Sequence, residues 1–405
     1  MILFFLHFLS DRLGIKVPAA FSYSSTRMVL AAITTLVFTI FLGPWFIKKL
    51  YALKTGQSIR VEDCPMLAEL HQKKKDTPTM GGILILLTMI FSLFLWMDLK
   101  SPFTLILLIT TLCLGGIGAY DDYLKLKHKN SKGLKSKKKF YFQILIAAIL
   151  GLYLLVPSIT ESLSFGKWFR PPVAKEYVSH QEAGRNEGVL LNTQEYVARY
   201  YLPFVKDSVC TLKGAGLIVG FLMIIFVITG SSNEVNLTDF LDGLASGCLV
   251  MTSLVLSLVA FLSNHTEIAR YLNILYIEGS GEIAIYLCAL SGACLGFLWY
   301  NGYPAQIFMG DTGSLALGGI IGISAILLRR EVLLAIIGGI FVAEALSVIL
   351  QVANFKLRHG KRIFLCSPLH HHFEYKGWPE TKVVLRFWII SLILAMIGIA
   401  SLKLQ

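Results

Sequence analysis

Apolar runs of spanning length recur about ten times along this chain, at roughly 27–48, 80–98, 103–120, 140–157, 213–230, 243–263, 282–300, 313–329, 332–355 and 382–402. Each is close to the about 20 residues that an α-helix needs to cross a hydrocarbon core. This feature excludes most folds. In lipid every backbone polar group must be paired internally, so only helices and closed barrels span. The runs are too long for barrel strands, which take about 9–11 residues. The chain therefore reads as an all-α polytopic membrane protein, one integral membrane domain of about ten transmembrane helices. With 55% hydrophobic and 15% charged residues, it carries too little charge for a soluble domain.

Lysine and arginine in the short loops set the orientation. Lys48, Lys49, Lys54, Arg60, Lys73, Lys74 and Lys75 follow the first run. Lys125, Lys127, Lys129, Lys132, Lys135, Lys137, Lys138 and Lys139 follow the third, and Lys356, Arg358, Lys361, Arg362 and Lys376 the ninth. The loops after the second and eighth hold only Lys100 and the Arg329-Arg330 pair. Odd-numbered spans are therefore expected to end in the cytoplasm, with both termini outside. The net charge of +12 belongs to these loops and to anionic lipid headgroups, and no nucleic-acid partner is expected.

Residues 1–26 lack the basic start and small-residue cleavage site of a signal peptide. They read as an interfacial segment. Helices one to four occupy 27–157 and helices five to ten occupy 213–405. Between them, 158–212 is long, polar and mixed in charge, with Lys167, Arg170, Lys175, Glu182, Arg185 and Glu187. The alternation places it outside as an extracytoplasmic loop or subdomain. The seven cysteines show no metal-type spacing and suggest no disulfide framework.

With this topology the unusual polar motifs share the cytoplasmic side. Asp121 and Asp122 end the third run. Ionisable residues there are costly to keep and usually mark a site. Asn236, Asp239 and Asp242 join runs five and six. Their three-residue spacing puts them on roughly one face of a helical turn, although either aspartate alone also reads as a cap of the next helix. Asn301-Gly302-Tyr303-Pro304 and Phe308-Met309-Gly310-Asp311-Thr312-Gly313-Ser314 join runs seven and eight. Asp311 reads as an ordinary N-cap, or as a carboxylate beside a helix N-terminus that favours phosphate and ligates Mg²⁺. Lys73-Lys74-Lys75 lead into Thr77-Pro78-Thr79-Met80-Gly81-Gly82 at a second helix entrance, and Ser367-Pro368-Leu369-His370-His371-His372-Phe373-Glu374 precedes run ten. Adjacent histidines diverge, so a zinc site fits poorly. Contacts to phosphate or sugar fit better. A transporter would place such groups near the midplane, often with internal repeats, whereas these lie at helix ends on one face.

Together, Thr77-Pro78-Thr79-Met80-Gly81-Gly82, Asp121-Asp122-Tyr123, Asn236-Leu237-Thr238-Asp239, Phe308 to Leu315 and Ser367 to Glu374 closely resemble the phospho-N-acetylmuramoyl-pentapeptide transferase family. That family is a branch of the polyprenyl-phosphate N-acetylhexosamine-1-phosphate transferases. The resemblance runs from about residue 27 to the C-terminus. It implies an enzyme of peptidoglycan synthesis in the bacterial cytoplasmic membrane, with its active site facing the cytoplasm. The implied reaction moves phospho-MurNAc-pentapeptide from UDP-MurNAc-pentapeptide to undecaprenyl phosphate, giving lipid I and UMP, with Mg²⁺ as cofactor. The runner-up donor is UDP-GlcNAc. By the same resemblance Asp121, Asp122 and Asp311 are catalytic, with Asp311 and Asp121 on the metal. Lys74, Thr79, Lys125, Asn236, Asp239, Asp242, Asn301, Phe308, His370, His371 and His372 bind substrate, and Lys137 holds phosphate. Membrane lipid is a partner, and a homodimer stays open. Two features depart from the family: Phe240 stands where it usually has glycine, and 158–212 looks longer than usual.

Overall fold

The computed structural model describes residues 12, 19–53, 74, 77–128, 133–156, 158–159, 169–179, 186–191, 193–358 and 360–404. Most of the expected N-terminal interfacial segment lies outside them, as do Lys54, Arg60, Lys73, Lys75, Lys129, Lys132, Lys167, Glu182 and Arg185. In chain order the α-helices are α1 (Ser24–Ala52), α2 (Gly82–Trp96), α3 (Pro102–His128), α4 (Ser136–Leu155), α5 (Thr193–Val197), α6 (Gly216–Thr238) and α7 (Leu244–Ser263). There follow α8 (Thr266–Tyr271), α9 (Gly281–Asn301), α10 (Gly310–Leu327), α11 (Glu331–Ile337), α12 (Gly339–Leu357), α13 (Leu369–Tyr375) and α14 (Glu380–Ser401). Among the described residues, nine helices are long and apolar enough to cross a membrane; α2 is apolar but has 15 residues. Nine of the expected runs each coincide with one of these ten, and the ninth run overlaps the remaining one, α12, only in part.

Two boundaries differ from expectation in ways that matter for the site. The ninth run is broken at Gly338 into α11 and α12, because Gly338 and Gly339 are two successive poor helix formers. The third helix does not stop at Asp121. It continues to His128, and its last turn carries Lys125, Lys127 and His128, cations that complement the partial negative charge of a helix C-terminus. At 1.5 Å per residue its 27 residues reach about 40 Å, longer than the roughly 30 Å hydrocarbon core. The aspartate pair therefore sits inside a helix, facing its neighbours.

Helices α7, α9 and α10 are the most enclosed, whereas α1, α4, α12 and α14 leave broad flanks open, as helices bordering lipid do. α9 packs along α1 and α7, and α10 packs between α3 and α6. The α3–α10 approach depends on Gly118, where a Cβ would run into the Asp311 and Thr312 backbone. Small residues at such crossings let membrane helices come close.

The described parts of 158–212 form short strands. β1 (Ala174–Ser179) pairs antiparallel with β2 (Asn186–Leu190), and β3 (Arg199–Tyr200) with β4 (Cys210–Thr211). β1 also pairs with β5 (Tyr276–Ile277), just before α9. These strands cap the end of the bundle opposite the polar motifs. There the Arg329-Arg330 pair is buried and holds this layer to the bundle. Arg329 pairs with Glu331 at 2.7 Å, donates to the Arg199 carbonyl at 3.0 Å and lies over the Tyr200 ring. Arg330 lies over Tyr201, and the Tyr196 hydroxyl donates to the Leu327 carbonyl.

Candidate active site

At the other end, the C-terminal parts of α3 and α6 meet the N-termini of α4 and α10. Asp121 and Asp122 are 1% exposed. Buried carboxylates need partners, and these have them. Asp122 accepts hydrogen bonds from the Thr312 amide at 2.9 Å, the Thr312 hydroxyl at 2.7 Å and the Asp311 amide at 3.3 Å. It caps α10 from another helix. The free N–H groups expected there for phosphate are therefore already engaged by a carboxylate. Asp311 is not an N-cap: it lies inside α10, after Gly310, whose φ of +72° suits glycine.

Asp121 and Asp311 face two lysines. Lys125 reaches Asp121 at 2.7 Å and Asp311 at 3.0 Å. Lys139, from the first turn of α4, reaches Asp311 at 2.5 Å and Asp121 at 3.2 Å. The second Asp121 oxygen accepts the Leu134 amide at 2.6 Å. Asn236 donates to Asp311 at 2.8 Å and to the Ser314 hydroxyl at 2.8 Å. Asp121, Asp122 and Asp311 each offer an oxygen within 4.8 Å of the others. Asp239 lies just past α6. Burial, with Asp311 and then Asp122 beside it, pushes its carboxyl well above the usual carboxylate range, and a hydrogen bond from Gly310 only partly offsets this.

A second cluster adjoins this one. Lys74 pairs at 2.6 Å with both Asp242 and Glu380, and Glu380 also accepts the Asp242 amide at 2.7 Å. Asp242 accepts the Ala305 amide at 2.9 Å, and the Lys74 ammonium lies 5.9 Å from the Phe308 ring centroid. The segment expected as a second helix entrance is zipped to the α10 approach. Gly81 and Gly82 donate to the Phe308 and Met309 carbonyls at 2.8 Å, and Phe308 donates to the Pro78 carbonyl at 2.9 Å. The Thr79 hydroxyl consequently borders Gly310.

A third cluster surrounds the histidines. His370 is fully buried, and its amide and Nδ1 both lie 3.2 Å from the Glu344 carboxylate. His371 pairs with Glu374 at 2.7 Å. His372 points elsewhere, accepting the Leu365 amide at 3.1 Å. Burial and Lys376 lower the His372 pKa. Phe240 stacks on His370 with ring centroids 6.0 Å apart and meets His371 edge-on.

The expected residues thus separate. Asp121, Asp122, Lys125, Asn236, Asp239 and Asp311 converge. Lys74, Asp242 and Phe308 form the adjoining wall, and His370 with His371 a third. Asn236, Asp239 and Asp242 do not share one helical face, because α6 ends at Thr238 and the turn sends Asp242 to Lys74. Asn301 braces loops: it accepts from Gly243 and Ser246 and donates to Ile307. Lys137 is exposed, and Lys139 occupies the cluster instead. Lys139, Glu344 and Glu380 were not expected. Glu344 had a readable signal, a charge within an apolar run, but nothing distinguished Lys139 from its neighbours.

Residues 104–329 match the glycosyl transferase family 4 profile, and residues 74–86 match the phospho-N-acetylmuramoyl-pentapeptide-transferase signature 1. The chain is 63% identical to the phospho-N-acetylmuramoyl-pentapeptide-transferase of Protochlamydia amoebophila (strain UWE25), over the whole of both chains. It is 46% identical to that of Desulfotalea psychrophila, over 95% of each chain. It is 43% identical to that of Thermodesulfovibrio yellowstonii, over 99% of each. Fold, site and similarity together place this chain in the phospho-N-acetylmuramoyl-pentapeptide-transferase family.

Proposed function

We propose that this protein transfers phospho-MurNAc-pentapeptide from UDP-MurNAc-pentapeptide to undecaprenyl phosphate, giving lipid I and UMP, at the cytoplasmic face of a bacterial inner membrane. The observation that carries the reading is the convergence of Asp121, Asp122 and Asp311 with Lys125 and Lys139 at one end of the bundle. There a water-soluble nucleotide and a membrane-bound phosphate can meet.

An oxygen of the acceptor phosphate attacks the sugar-bearing phosphorus. The bond from that phosphorus to the bridging oxygen breaks, and UMP leaves with its electron pair. A phosphate monoester has its second pKa near 6, so at neutral pH the nucleophile is already mostly deprotonated. What the site must provide is alignment and charge neutralisation. Lys125 and Lys139 bind phosphate oxygens. Asp122, held by three donors from the first turn of α10, fixes where α10 begins and so where Asp311 points, and Asp121 orients the acceptor.

A hard divalent cation suits the three carboxylates, which lie within reach of one another, and it would take over the charge pairing that Lys125 and Lys139 now make with Asp121 and Asp311. Asp311 and Asp121 would hold Mg²⁺, which when bound neutralises the donor pyrophosphate. A phospho-aspartate on Asp311 fits less well, because three donors already engage that carboxylate. Lys74, Asp242 and Phe308 form the nucleotide side of the pocket, and His370 and His371 the sugar side.

Purified protein with donor, acceptor and Mg²⁺ should release UMP, and UDP-GlcNAc should not replace the donor. No UMP under conditions where a relative is active would overturn the assignment. A trapped phosphorylated Asp311 would overturn the single displacement.

A further inference from the structure

Lys139 is the lysine of α4 that reaches the carboxylates, although Lys137 and Lys138 precede it and are exposed. Which lysine does so depends on how α4 is rotated about its axis. One helical residue corresponds to about 100° of rotation, so a turn of that size would carry Lys139 away from Asp311. Apolar packing resists such a rotation weakly in a membrane, because lipid tails are as apolar as a neighbouring helix. α4 leaves broad flanks open, and most of its buried seam is apolar or small: Ala147, Leu150, Gly151, Leu154 and Leu155.

Gln143 is the exception. Among the described residues it is the one polar side chain of α4 that is buried, and it is fully so. It lies one turn past Lys139 on the same helical face. Its Oε1 accepts from Asn233 Nδ2 at 2.7 Å, and its Nε2 donates to the Ser232 hydroxyl at 3.3 Å. Both partners belong to α6, and Ser232 in turn donates to the Leu315 carbonyl of α10 at 2.9 Å. Asn236, one turn further along α6, donates to Asp311 at 2.8 Å. One stretch of α6 therefore holds Asp311 directly and Lys139 through Gln143. An apolar side chain at 143 would fill the same space without this directional hold.

We infer that Gln143 is a positioning residue: its paired hydrogen bonds to α6 set the rotation of α4 and so seat Lys139, rather than Lys137 or Lys138, between Asp121 and Asp311. The consequence for turnover rests on the activity proposed above, whereas the seating of Lys139 does not.

The test uses Gln143→Met, an unbranched side chain of similar size that keeps the seam filled. Ser232 and Asn233 retain the Leu315 and Thr229 carbonyls as acceptors, so neither donor is stranded. Purified wild type and variant are treated with an amine-acylating reagent, and modification of Lys139 is scored against Lys137 by mass spectrometry. In the wild type Lys139, 17% exposed and paired with two carboxylates, should react more slowly than Lys137. In the variant the Lys139-to-Lys137 ratio should rise severalfold. Its kcat/KM for UMP release should fall by about tenfold or more, as a misplacement on the order of 1 Å implies. In a Lys139→Met background the same substitution should cause no further loss, because the two residues act as one unit. An unchanged acylation ratio, or an equal loss of kcat/KM in both backgrounds, overturns the inference. Should Gln143→Met not fold, Asn233→Ala removes the 2.7 Å bond from the α6 side and must raise the same ratio; no rise there overturns the inference equally. Absence of UMP from the wild type would instead overturn the activity, and the acylation ratio still decides whether Gln143 seats Lys139.

Discussion

Replacing Lys139 with methionine tests the electrostatic logic of the site. Its ammonium lies 2.5 Å from Asp311 and 3.2 Å from Asp121, and the Lys139 and Asp311 side chains are 17% and 14% exposed. At an effective dielectric near 20, such contacts are each worth about 5–7 kcal/mol of Coulomb attraction. Desolvating the ammonium returns most of this, and breaking buried pairs costs about 3–5 kcal/mol. Partial exposure puts Lys139 below that range, at about 2–3 kcal/mol. Removing it leaves Lys125 facing Asp121, Asp122 and Asp311, with Asp239 beside them. In EDTA the variant should therefore unfold at a lower temperature than wild type. Adding Mg²⁺ should narrow the gap, because a divalent cation replaces the missing charge and no longer competes with the lysine. A 2 kcal/mol difference corresponds to more than a tenfold tighter apparent Mg²⁺ dissociation constant. Thermal unfolding in detergent across a Mg²⁺ titration reads both quantities. Equal midpoints in EDTA, or a smaller response to Mg²⁺ in the variant than in wild type, would refute the reasoning.

Asp311→Asn keeps the side-chain shape but removes the charge that both lysines face; UMP release should fall by at least about 10²-fold, as for loss of a group stabilising developing charge, and near-wild-type turnover would remove Asp311 from the chemistry. Glu344→Ala leaves the buried His370 amide without its acceptor, costing about 1–3 kcal/mol. Thermal unfolding should show that loss, and the donor KM should rise while the acceptor KM holds. The raised Asp239 carboxyl gives a signed pH effect. The native state holds this proton more tightly than the unfolded chain, so the stability it contributes is full below the ordinary carboxylate range and is lost as pH rises through the native value. Asp239→Asn should therefore unfold above wild type in EDTA at neutral pH and converge with it near pH 4, whereas a constant offset across that window would contradict the assignment.

The spans were legible because bilayer thickness imposes one length on every helix, and an apolar run of that length shows in the chain without any partner. Helix ends were less legible, because they depend on side chains beyond the run. Lys125 and Lys127 extend α3 past Asp121, and the turn after Thr238 separates Asp242 from Asn236. Partners were the least legible. Glu380 meets Lys74 across 306 positions, and Lys139 differs from Lys137 only in which side of α4 it occupies, a distinction made by the packing of α4 against α6 and α3. The cost of burying charge explains why the motifs nevertheless pointed to the right end of the molecule. A carboxylate such as Asp121, Asp311 or Glu344 is expensive in or beside an apolar helix, so each must be matched by a donor from another element. Four such segments at one end of the bundle could satisfy one another only by converging, and their convergence leaves Lys125, Lys139 and three carboxylates where a phosphate can reach them.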